Sequence, residues 1–205
     1  MINWKGITIG LIIILVITNI YWFIQQNGEN YSEENNLLLT LMKADADVSE
    51  ISISSQKADS YYSEASFAYE DGNYNLVGSN CRLARDYYSE TSQGYKRIKA
   101  ELKATEIEDK LIELYIESLE LNSEISLNMF EACEYFETAS RYYDTYFNTN
   151  VPYDDSSYDM GTTQIEMMGE KIEDHDRNVR DYNDKLEDYR IELKLRLDAF
   201  GVENE

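Results

Sequence analysis

One histidine, two cysteines, one proline and nine glycines are all that this 205-residue chain holds of the residue types that build metal sites, disulfide frameworks and tight turns. With His175 the only imidazole, Ser-His-Asp or Cys-His catalysis has almost no material to work with. Carboxylate-bridged di-iron bundles need Glu-x-x-His pairs on facing helices, and Ile172 stands three residues before His175, so that chemistry fails too. Cys81 and Cys133 form no C-x-x-C pair; they are too few for a disulfide scaffold and wrong for zinc. They read as small buried hydrophobes that can pair only if their Cα atoms come close. No enzyme, cofactor or metal is therefore expected, and abundant Glu and Asp on helix exteriors read as a solvated face rather than a glycosidase pair.

Cations are the next shortage. Eighteen Lys and Arg stand against 40 Asp and Glu, a formal charge of −22, which repels nucleic-acid phosphates and anionic headgroups alike. Such charge often accompanies disorder, but 18 tyrosines supply enough apolar surface for a core. The scarcity of Pro and Gly, with Glu, Leu, Lys, Ala and Ser in abundance, favours long helices over sheets.

Long apolar runs are absent except for one. Residues 7–24, ITIGLIIILVITNIYWFI, carry no charge, and at about 1.5 Å per residue reach roughly 27 Å, close to a bilayer's hydrocarbon thickness. Trp4 lies at one end and Tyr21 and Trp22 at the other, where amphipathic rings prefer the headgroup level. Lys5 precedes the run and no basic residue follows until Lys43, so residues 1–6 are expected in the cytoplasm and everything after 24 outside it. A cleaved signal peptide shares this order, yet no A-x-A-like site follows; an uncleaved signal-anchor is the expectation, over a buried core helix as well. No second such run occurs, which leaves out the second membrane helix that two-span sensors use.

The remainder reads as one all-α domain. After a neck at 25–30, apolar or small residues recur in threes and fours at Leu37, Leu41, Ala44, Val48, Ile51, Ser55, Ala58, Tyr62, Ala65 and Tyr69, a narrow helical seam over about 32–70. Glu70-Asp71-Gly72-Asn73 then breaks the pattern, Gly suiting a left-handed turn and Asn an N-cap. The seam resumes through Val77, Cys81, Ala84, Tyr88, Thr91, Tyr95, Ile98 and Leu102, a helix over about 74–103. Thr105-Glu-Ile-Glu108 reads as a capping box opening a third helix, 105–148, with two apolar stripes; without Gly or Pro there, 74–148 as one helix is the rival. A composition typical of loops covers 148–161, and Thr163-Gln-Ile-Glu166 reads as the cap of a fourth helix, 163–200, before a tail at 201–205. The expected architecture is an antiparallel four-helix bundle, or, with 74–148 unbroken, an elongated rod.

Few motifs remain. Gly72, Asn73, Tyr74, Val77, Cys81 and Ala84 resemble half of a tetratricopeptide repeat, but no second copy recurs and the helices are too long, so a tight helical hairpin is the better reading. Residues 154–159 offer oxygen ligands without the order of an EF-hand. His175 falls on the seam of the fourth helix, as a pH-sensitive core residue or as one satisfied by the adjacent Asp174 and Asp176. Arg82, Arg85, Lys96, Arg97, Lys99 and Lys103 concentrate on the second helix, facing acidic helices or offering a docking stripe for an acidic partner. The expected role is a membrane-anchored scaffold that binds an envelope protein or itself; a ligand-sensing ectodomain working with a separate signalling subunit is the alternative.

Overall fold

A computed structural model describes residues 32–148 and 155–199. The described residues are helical, with no strand among them: α1 (Ser32–Glu70), α2 (Tyr74–Lys103), α3 (Lys110–Asn148) and α4 (Asp155–Ala199). By contact the chain divides into Met1–Ser49 and Glu50–Glu205. In the first unit Leu37, Leu41 and Ala44 are buried on the expected seam of α1.

The second unit contains three antiparallel helix pairings, legible from the residues that meet. Tyr61 of α1 stacks on Tyr87 of α2, Ser92 of α2 reaches Ser123 of α3, and Lys171 and Lys185 of α4 pair with Glu131 and Glu117 of α3. The turn between α1 and α2 is tight. Gly72 takes the left-handed conformation at φ 70°, Asn73 N–H donates back to the Ala68 carbonyl, and the Asn73 side chain accepts from Leu76 N–H. The core forms where Ala58, Ala65 and Ala68 of α1, Val77, Cys81, Ala84 and Tyr88 of α2 and Met129, Cys133 and Phe136 of α3 meet. Small residues on α1 and α2 let the helices approach, and α3 fills the space with larger side chains. α4 is a shallower cover: Ile165 and Met168 pack on this core while only partly buried.

Two helix starts differ from the sequence reading. α3 begins at Lys110, not at 105, so 74–148 is two helices. The Thr105 hydroxyl donates back to the Leu102 carbonyl, Glu106 is left-handed at φ 55°, and Asp109 is the capping residue, accepting from Leu111 N–H at 2.8 Å. α4 begins at Asp155, not at 163; the hydroxyls of Thr162 and Thr163 bond to carbonyls one turn back, inside a helix already formed. Tertiary contact overrides the loop-like composition, because Gly161 is buried against the Tyr143 ring of α3 and Tyr158 packs on Tyr143 and Tyr146. The expected membrane span at 7–24, with Trp4, Lys5, Tyr21 and Trp22, lies outside the described residues; among the described residues no helix is long and apolar enough to cross a membrane.

Candidate functional site

Antiparallel order brings the end of α1, the start of α2, the end of α3 and the start of α4 to one end of the second unit. There the tyrosines cluster. Tyr69 meets Tyr74, Phe136 and Tyr143 at centroid distances of 6.0, 5.4 and 5.9 Å, two of the three edge-on. Tyr74 stacks on Phe147 at 5.8 Å, and Tyr158 meets Tyr143 and Tyr146 at 5.7 and 5.3 Å. Such geometries suit the ring quadrupole and stiffen the cluster beyond the area they bury. Burial and the neighbouring Tyr143 phenol push Tyr69 up to about 12, so its ring stays neutral at physiological pH.

The cluster is closed inside and open outside. Tyr143 is 5% exposed, whereas Phe147 is 55%, Tyr158 45% and Phe67, one turn below Asp71, 67%. Leu76 and Met160 add further exposed apolar surface near the ends of these helices. Between positions 58 and 81, and again between 142 and 170, the chain has no Lys or Arg, while Glu70, Asp71, Asp155 and Asp159 stand exposed in these stretches. Elsewhere rings receive the chain's own cations: Lys57 lies 5.3 Å from the Tyr87 ring centre and Arg85 4.8 Å from that of Phe130. The two stretches that carry most of these rings supply none of their own.

The basic residues of α2 lie in two groups. Arg82 and Arg85 donate to the buried Glu137 carboxylate at 2.7 and 3.0 Å, Arg141 completes the set, and Lys99 pairs with Glu120. Burial acts against the Glu137 anion, but Arg82 and Arg141 outweigh it and hold the carboxyl below its ordinary range. Lys96, Arg97 and Lys103 are exposed on the outer face. His175 is half-buried, its Nδ1 3.1 Å from the Asp176 carboxylate. Its field also reaches Asp59, which accepts from the buried Tyr88 hydroxyl at 2.8 Å; burial raises the Asp59 carboxyl, against that bond and His175. Among the described residues no three His, Cys, Asp or Glu side chains gather as metal ligands would.

The cations of α2 stand out in the sequence, whereas the aromatic end does not. Its signal was present as two long cation-free, tyrosine-bearing stretches, but their meeting depends on the hairpin order. The fold and this site define a class, an all-helical bundle with an acidic aromatic tip. No family model, no curated protein and no solved structure matches the chain.

Proposed function

We propose that the chain is a single-pass membrane protein that displays its helical bundle outside the cytoplasm and docks a cationic segment of an envelope protein on the aromatic tip. The span is residues 7–24, with the N-terminus in the cytoplasm. The observation that carries the docking role is the exposed Phe147–Tyr158 surface, with Glu70, Asp71, Asp155 and Asp159 exposed in stretches that hold no Lys or Arg. An Arg or Lys side chain laid on those rings gains cation–π attraction and a carboxylate neighbour together. Self-association through the tip is disfavoured, since it sets like charges of two −22 chains against each other.

The full-length chain in nanodiscs tests this, with a fluorescent Arg- and Lys-containing peptide as probe and a Gln-substituted peptide as control. The cationic probe binds saturably, and Phe147→Ala with Tyr158→Ala weakens it about tenfold, the loss of about 1.4 kcal/mol that two partly exposed cation–π contacts represent. Equal binding by the double variant, or by the Gln peptide, sinks the proposal.

A further inference from the structure

The seam between α2 and α3 is lined by small side chains. A Cβ added at Gly78 would stand 3.4 Å from the Ser140 hydroxyl, and the Ser92 and Ser123 hydroxyls lie 2.8 Å apart. Ser123 Oγ also lies 3.4 Å from the Ser92 carbonyl oxygen, so one helix's side chain reaches the other's backbone. Cys81 stands eleven positions before Ser92 on α2, and Cys133 ten positions after Ser123 on α3, about three turns along the same antiparallel register. Both cysteines are fully buried in one core cluster and both are free thiols. The neighbouring Cys81 thiol and burial together push the Cys133 thiol up. The ring of Tyr62 from α1 closes over them and is itself pushed up to about 12 by burial and the two sulfurs.

We infer that Cys81 and Cys133 are a disulfide site, forming an intramolecular strap between α2 and α3 when the chain folds in the presence of a disulfide donor. The donor is a low-molecular-weight or protein disulfide. One cysteine thiolate attacks a donor sulfur and expels a thiolate; the second cysteine sulfur then displaces the remaining donor sulfur, making the Cys81–Cys133 bond. The chain loses two protons and two electrons, and the donor takes them up and leaves as two thiols. Because the folded core covers both sulfurs, exchange takes place during folding or on local opening. The strap leaves the aromatic tip untouched, so its fate and that of partner docking are separable.

The full-length chain in detergent, unfolded in urea and refolded across a series of reduced-to-oxidised glutathione ratios, provides the test. Intact mass, alkylation after denaturation and peptide mapping read the thiols; circular dichroism reads the fold. At the oxidising end the monomer lacks two hydrogens, resists alkylation, and yields the peptide of Cys81 joined to that of Cys133. Its helical signal matches the reduced chain and its Tm is higher, a gain that dithiothreitol removes. The comparison is between two states of one sequence and does not depend on a variant folding; Cys81→Ala and Cys133→Ala each abolish the species where they fold. Alkylation of both thiols at every ratio, glutathione adducts or linked dimers in place of the strap, or oxidation only with loss of helix overturns the inference.

Discussion

Glu137 is the one charged side chain among the buried described residues, and three arginines converge on it. Removing the charge from such a group leaves the partners arranged around an absent counter-ion, at a general cost of about 3–5 kcal/mol for a fully buried pair. Arg82 and Arg141 are mostly exposed and can return to water, so Glu137→Gln is expected to cost about 2 kcal/mol, read as a Tm roughly 5 °C lower. Its pH dependence has a fixed sign. The folded carboxyl titrates below its ordinary 4.5, so its contribution is full above that value and is lost as pH falls through the folded value. The Tm gap between the natural chain and the variant therefore narrows on acidification through the carboxyl range; a gap independent of pH would mean the loss is packing alone. The sequence shows Arg82 and Arg85 as a basic concentration but not their counter-ion, because Glu137 is one of 40 acidic residues and lies 55 and 52 positions away. A separation of 31 positions likewise hides the Ser92–Ser123 contact. Polar residues read from sequence default to the surface, and only the partner explains their burial.

At the scale of elements, a heptad pattern is legible when a helix has one narrow buried face. α1 and α2 satisfy this condition, and Val77, Cys81, Ala84, Tyr88, Thr91, Tyr95, Ile98 and Leu102 are all buried. α4 does not: Ile165, Met168, Ile172, Val179 and Leu186 keep the spacing but are only half-buried, and the helix opens eight residues before its apparent cap. Two glycines of α4 separate helix propensity from packing. A Cβ at Gly161 would stand 2.8 Å from the Tyr143 ring, a rigid and buried neighbour, whereas a Cβ at Gly169 would meet nothing within 4 Å. Alanine in place of a helical glycine gains about 1 kcal/mol by propensity, and overpacking costs roughly 1–3. Gly169→Ala is thus expected to raise stability by about 0.5–1 kcal/mol, and Gly161→Ala to lower it by about 1, in urea titrations. Stabilisation by both would show that Tyr143 moves freely, and would weaken the case for a stiff aromatic tip.

For the whole molecule the deciding quantity is charge. Short connections at 71–73 and 104–109 make neighbouring helices antiparallel, and that order carries the cation-free stretches 58–81 and 142–170 to the same end. Nothing local in either stretch announces the other, so the tip is legible only when the antiparallel order expected from the seams is laid over the charge pattern. With −22 charges, the folded chain carries like-charge repulsion that most of its half-exposed ion pairs, each contributing about 0–1 kcal/mol, do not offset. Monovalent salt screens that repulsion once the Debye length shortens to about 10 Å, near 0.1 M. Sodium chloride raised from about 0.01 to 0.15 M is therefore expected to increase the Tm by roughly 2–4 °C, about 1 kcal/mol in a domain of this size. The same titration should weaken binding of a cationic probe at the tip, mainly by slowing association, because screening removes the long-range attraction that steers the encounter. The two responses have opposite signs and one cause. A Tm that falls with salt would mean that the ion pairs around Glu137, Glu120 and Glu117 outweigh the net charge, and probe binding that ignores salt would place recognition on the apolar rings alone.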